Sequence, residues 1–260
     1  MRRARGEGRT VFLMCLVLGA VIGVTAVGSV ASAGPTSAHA EVRASVSQVA
    51  SLNWGGYAAT GSSGSVTYVY GAWVQPSVTC PSRGTLYAAF WVGIDGYNSN
   101  TVEQDGTLAE CSHGKATYSA WWELYPLNSI QTISSMTVKA GDSIDASVTY
   151  SSSGFTMAIH DLTSGQSFSK TATQSGTSES SAECIVERPS VGSSLSSLAD
   201  FGSAKFSSCT ATISGTSSGI GSAASADAIT MEDSAGRTLA SVSATSNSGA
   251  TFTVTWVRSS

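Results

Sequence analysis

The sequence predicts an all-β domain, a sandwich or barrel of short antiparallel strands, and three observations predict it. Apolar residues recur with a period of two, turn residues interrupt them at short intervals, and no long helical pattern follows the N-terminal segment. Ile144, Ala146, Val148 and Tyr150 alternate with Asp145, Ser147 and Thr149. Phe155, Met157 and Ile159 alternate with Thr156, Ala158 and His160, and Phe252, Val254 and Trp256 with Thr251, Thr253 and Thr255. Each run turns one apolar face inward and one Ser/Thr-rich face outward. The breakers are Gly61 to Gly64, Ser151 to Gly154, Ser164-Gly165, Gly215 to Gly219 and Ser246 to Gly249. No fixed-period repeat is present, which argues against a propeller or solenoid.

The N-terminus sets the compartment. Arg2, Arg3, Arg5 and Arg9 precede an apolar run from Val11 to Val30, followed by Ala31-Ser32-Ala33. A basic start, an apolar middle and a small-residue end read as an export signal over residues 1–33, with a second cut site after Ala40. A membrane anchor of this length is argued against by Gly19, Gly23 and Gly28 and by the cleavage pattern. Residues 34–52 carry little pattern and read as a short pro-segment or a loose arm. Residues 53–260 read as one β domain, large enough to bury a substantial core. A secreted monomer with no stable membrane association is the expectation.

Charged residues make up 12% of the chain, about half the usual share. Of 13 basic and 17 acidic residues, four and one precede Ala33, leaving nine and sixteen and a net charge of −7. An acidic chain without clustered Lys or Arg is a poor nucleic-acid binder. Few carboxylates also means few groups whose protonation unfolds the protein in acid. Cys80, Cys111, Cys184 and Cys209 remain after export, an even number in an oxidising compartment. Proximity in sequence favours Cys80–Cys111 and Cys184–Cys209 among the three possible pairings. No close Cys or His spacing is present, so neither a metal nor another cofactor is expected.

Phe90-Trp91-Val92-Gly93-Ile94-Asp95-Gly96 and Tyr118 through Pro126 break the alternation, with aromatics on both strand faces. An aromatic-lined groove explains them, and a Trp-rich core is the plainer alternative. Gly215-Thr216-Ser217-Ser218-Gly219 fits a nucleophile elbow but lies in a Ser/Gly turn with no helical pattern after it, and reads as a loop. What remains for chemistry is acids and amides: Glu103-Gln104-Asp105 after the first aromatic segment, Glu123 inside the second, and Glu183 with Glu187. The last two, four apart in a strand-like run, share a face.

These residues resemble the glutamic peptidases, or eqolisins, from about Asn53 to Val257. The likeness is carried by Asn53-Trp54-Gly55-Gly56-Tyr57, Gly71 to Val78, Trp91 to Gly96, Val102 to Gly106, Ala120 to Pro126, Ala182 to Glu187 and Ala199 to Gly202. Any one is common; their order and spacing together are specific. The resemblance implies an antiparallel β-sandwich of two bent sheets, concanavalin-like, forming a substrate groove. It implies protein or peptide substrates, an acid pH optimum, insensitivity to pepstatin and a metal-independent Gln/Glu dyad. By position the dyad is Gln104 and Glu183, with Trp91, Asp95, Trp121 and Glu123 lining or buttressing the groove. Fungal members carry Trp after the catalytic Glu, where this chain has Cys184. A β-sandwich glycoside hydrolase using Glu123 and Glu183, with Trp91, Trp121 and Trp122 stacking on sugars, is one alternative. A non-catalytic carbohydrate-binding module is another.

Overall fold

The computed structural model describes residues 45–260 of the chain, so the expected export signal and the first part of the arm lie outside the described residues. Strands occupy most of it: β1 (Ser45–Ser51), β2 (Trp54–Thr60), β3 (Val66–Val74), β4 (Thr85–Ile94), β5 (Val102–Ser112), β6 (Lys115–Tyr125) and β7 (Gln131–Thr132). The middle of the chain adds β8 (Ser143–Ser151), β9 (Gly154–Asp161), β10 (Gln166–Ala172), β11 (Ser181–Glu187), β12 (Ser190–Val191), β13 (Ser194–Leu195) and β14 (Ser197–Leu198). The last part contains β15 (Ser203–Ile213), β16 (Thr216–Gly219), β17 (Ser225–Glu232), β18 (Thr238–Val242) and β19 (Phe252–Trp256). Three residues, Ile220–Ser222, form a 3₁₀ turn.

Hydrogen bonding joins 17 of these strands, bent over into two layers. One layer runs β1-β17-β2-β11-β4-β5-β6-β7 and the other β18-β19-β15-β3-β8-β9-β10. β17 passes from one layer to the other, pairing with β2 through Ala226 to Ile229 and with β18 through Met231 and Glu232. This is the expected sandwich of bent sheets, antiparallel except where β1 runs parallel to β17 and β14 parallel to β4. Residues 45–51 are therefore a paired strand rather than a loose arm, and Val49 packs on the body of the sheet.

The main core fills the space between layers. Phe90, Val92 and Ile94 of β4 meet Trp73 of β3, Ile144 and Val148 of β8, and Met157 of β9. Phe206 and Phe252 stack with ring centroids 5.2 Å apart, and Trp73 donates across the layers to the Thr107 hydroxyl at 3.1 Å. A second cluster lies on the opposite face of the first layer. It contains Trp54, Ala58, Tyr87, Ala89, Trp91, Leu108, Trp121, Ile185 and Ile229. β4, β5 and β11 are thus buried on both faces, which is why their sequences lack alternation.

Cys80 and Cys111 are disulfide-bonded, as expected. Cys184 and Cys209 are not: both are free, buried thiols. They are neighbours, since a Cβ placed on Gly71 would lie 3.2 Å from each sulfur. Burial raises the Cys184 thiol well above its ordinary range, with Cys209 adding to the rise. The Gly215–Gly219 segment is a hairpin turn and strand, not a nucleophile elbow.

Candidate active site

Strand register assembles the site. Directly opposed residues on neighbouring strands share a face. Reading across the first layer, Asp227 of β17 faces Ala58 of β2, which faces Glu183 of β11. Glu183 faces Gly93 of β4, Gly93 faces Gln104 of β5, and Gln104 faces Glu123 of β6. Two residues further along each strand lie Ile185, Trp91, Gly106 and Trp121. One row therefore holds an acid, a gap, an amide and a second acid, with tryptophans alongside.

Gly93 makes the gap. A Cβ there would sit 2.9 Å from the Trp91 ring and 3.3 Å from Gln104 Cβ, so a side chain would push on both. With none, the two strand spacings between Glu183 and Gln104, about 10 Å at the backbone, stay open between the functional groups. Gln104 is oriented by Glu123: its Nε2 donates to Glu123 Oε2 at 2.7 Å. One amide N–H remains for another acceptor, and Oε1 makes no hydrogen bond to protein. Neither Glu183 oxygen has a hydrogen-bond partner. Burial pushes the Glu183 carboxyl well above the usual range, the nearby Ser181 hydroxyl pulls it down, and Asp95 adds a further rise.

Of the residues expected beside the dyad, Trp91, Trp121 and Glu123 are on this face. Trp91 donates to Glu187 Oε2 at 2.9 Å and packs edge-on against Trp54, and Asn53 donates to Glu187 Oε1 at 3.0 Å. Glu187 therefore shares the face of Glu183, as its spacing implies, and holds the wall of the site. The Trp121 N–H has no partner. Asp95 sits at the end of β4 with a left-handed backbone (φ 69°) and anchors the loop into β11. Its carboxylate accepts from the amides of Ser178, Glu179 and Ser180 at 2.7 to 2.9 Å. It buttresses the Glu183 strand and does not line the row. Trp122 faces the other way, where Lys170 lies 5.7 Å above its ring, so it cannot join Trp91 and Trp121 in stacking on a ligand.

The tryptophans of this face are not exposed: Trp91 and Trp121 are 0% exposed, as is Glu183, and Gln104 is 1% exposed. Val49, Tyr97, Tyr125, Ile130 and Val191, all partly buried, pack against the second cluster. Two further acids are buried close by. Glu103 is raised to about 9, mainly by burial and then by Asp95 and Glu179. Asp105, behind the dyad face, is raised by burial and has no partner for either oxygen. Sequence reasoning missed Gly93 as the spacer and Tyr97 and Asp227 as neighbours of Glu183. Only the register brings Asp227 into the row, because it lies 44 positions beyond Glu183 in the chain. Among the described residues no group of three or more His, Cys, Asp or Glu side chains has a metal-holding arrangement.

The family profile of the peptidase A4 family matches residues 52–256. Aspergillopepsin-2 of Aspergillus niger is 34% identical over 232 residues, 80% of this chain and 78% of that protein. The crystal structure of scytalido-glutamic peptidase with a peptide-based transition state analog superposes with a TM-score of 0.66 at 29% identity, covering 79% of this chain and 98% of that one. SCP-B, a member of the eqolisin family of peptidases in a complex with the tripeptide Ala-Ile-His, gives 0.64 at 28% identity over the same shares. The two-layer architecture, the extent of the profile and these likenesses agree: the chain belongs to the peptidase A4 family, the glutamic peptidases or eqolisins, and is a peptide hydrolase.

Proposed function

We propose that the chain is an acid endopeptidase in which Glu183 activates water and Gln104 stabilises the oxyanion. We further infer that it is exported, loses residues 1–33 and acts as a monomer on protein or peptide substrates without metal. The observation that carries the dyad is the register row, in which Glu183 and Gln104 flank Gly93 with Glu123 fixing the amide. Glu183, while ionised, takes a proton from water as the water oxygen bonds to the scissile carbonyl carbon. The negative charge moves to the carbonyl oxygen, which receives the second N–H of Gln104, a contribution of about 3 kcal/mol. Glu183 then passes its proton to the amide nitrogen. The C–N bond breaks, leaving a carboxylic acid and an amine. Burial raises the Glu183 carboxyl, which strengthens its hold on the proton between these steps and leaves only its ionised fraction to act as base in acid.

The glycosidase reading loses its second carboxylate, since Glu123 is hydrogen-bonded to Gln104 and lies three strand spacings, about 14 Å at the backbone, from Glu183. The test is digestion of an unfolded protein from about pH 2 to about pH 8, with pepstatin and a chelator as controls. Cleavage in acid that neither control stops, lost in Glu183→Gln and Gln104→Ala, is the expected result. Full activity in either variant would remove that residue from the mechanism.

A further inference from the structure

The row continues past Glu183 to Asp227, and a second hydrogen-bonded pair stands there. Tyr97 donates its phenol proton to Asp227 Oδ2 at 2.7 Å. The two residues come from far apart. Tyr97 follows the end of β4, whereas Asp227 is on β17, and β11 and β2 lie between. Three strand spacings are about 14 Å, so the phenol reaches over the Glu183 side of the face to make this bond. The backbone is built for that crossing. Asp95 and Gly96 both have positive φ (69° and 100°), which turns the chain back onto the sheet. Gly96 presses so close that a Cβ would lie 3.0 Å from Val102 and 3.1 Å from Trp54. The Tyr97 ring packs on the same cluster as Trp91 and Trp121. Burial, Asp227 and Glu183 all push the phenol upward, so it keeps its proton, and Glu183 is within electrostatic reach of it.

A phenol has one proton and an oxygen that also accepts. Here the proton is directed at Asp227, and among the described residues this oxygen makes no other hydrogen bond. Its lone pairs remain available on the Glu183 side. On the rest of the face the second Gln104 N–H and the unpartnered Trp121 N–H can donate, while the unpartnered acceptors, Gln104 Oε1 and the two Glu183 oxygens, belong to the dyad itself. An extended peptide presents carbonyls and N–H groups in alternation, so it needs an acceptor for its backbone away from the reacting groups.

We propose that Tyr97, held by Asp227, is a substrate-binding residue whose phenol oxygen accepts a main-chain N–H of the peptide, on the side of Glu183 away from Gln104. Asp227 acts through it as a positioning residue. The assignment rests on the dyad reading and adds to it a fixed point for the peptide backbone.

The experiment uses one good peptide substrate and copies of it carrying a single backbone N-methyl group, moved one position at a time. In the wild type, N-methylation at one position outside the scissile bond raises KM by about tenfold, the effect of one lost hydrogen bond to a part-buried acceptor. Tyr97→Phe keeps the ring, raises KM by the same factor on the parent peptide, and suffers no further loss from that N-methyl group. Asp227→Ala behaves likewise, and the double variant is no worse than either single one. Unchanged KM in Tyr97→Phe, or N-methyl penalties identical to wild type at every position, would overturn the assignment while leaving the dyad intact. A wild type that cleaves nothing would sink the dyad reading and this one with it. A lowered melting temperature with an unaltered N-methyl profile would make the pair merely structural.

Discussion

Gln104 and Glu123 stand directly opposite each other on adjacent strands, and the amide of one donates a 2.7 Å hydrogen bond to the carboxylate of the other. The bond decides which way the amide points: its nitrogen lies toward Glu123, and a second N–H is left over. Glu123→Ala frees the amide to rotate. It should lower kcat by roughly 5- to 150-fold, the range for leaving a buried donor without its acceptor. Glu123→Gln retains an acceptor oxygen and should lie nearer wild type. Steady-state kinetics on one peptide checks this, and equal loss in both variants would mean that the charge, not the orientation, matters.

Gly93→Ala tests the spacing between the two halves of the dyad. The added methyl meets Trp91 and Gln104 at 2.9 and 3.3 Å. Displacement of the amide by a fraction of an ångström to an ångström should lower kcat by roughly 10- to 100-fold. KM and circular dichroism should change little. A fully active Gly93→Ala enzyme would show that the gap is not needed.

Stability should fall as pH rises. An unfolded Glu103 loses its proton near its ordinary value of 4.5, whereas the folded one keeps it to about 9. Between those values the native state binds more protons than the unfolded state, so unfolding free energy declines with pH. Asp105 and Glu183 are raised as well and act in the same direction. Melting temperatures should therefore be highest at or below about pH 4.5 and decrease toward pH 9. Glu103→Gln, which can still accept from Gln174, and Asp105→Asn should each flatten the slope. A melting temperature that climbs from pH 5 to pH 8 would contradict this reading.

The thiols can be counted. Protein lacking residues 1–33 should show no accessible thiol when native and two when unfolded without reductant, because Cys184 and Cys209 are buried and free and Cys80–Cys111 is closed. Zero thiols in the unfolded, unreduced chain would mean that the second disulfide forms after all.

The alternating strands were readable because one face of each meets the core and the other meets water. β8 and β9 are of this kind, with Ile144, Ala146 and Met157 inside and Thr149, Thr156 and His160 outside. β4, β5 and β11 are different. Covered on both faces, they have no polar side to mark the period, and so only the ordered motifs made Gln104 and Glu183 stand out. Their convergence depends on which strands pair, a non-local fact. Gly93 lies two positions from the motif tryptophan Trp91, yet its purpose appears only when the register sets it between acid and amide. Cys184 and Cys209 show the opposite failure. Their adjacency is correctly suggested by sequence, but buried neighbouring sulfurs need not be bonded.

The parallel strand β1 has a practical consequence for anyone trimming this protein. The family match begins at residue 52, and a chain cut there would look complete by homology. It would lack the seven residues that pair with Ser225 through Met231. β17 would become a bare sheet margin, with hydrogen-bonding groups ready to recruit another molecule. Poor recovery from such a shortened gene would then reflect sticking between copies rather than a fault in the enzyme, and restoring Ser45 onward should cure it.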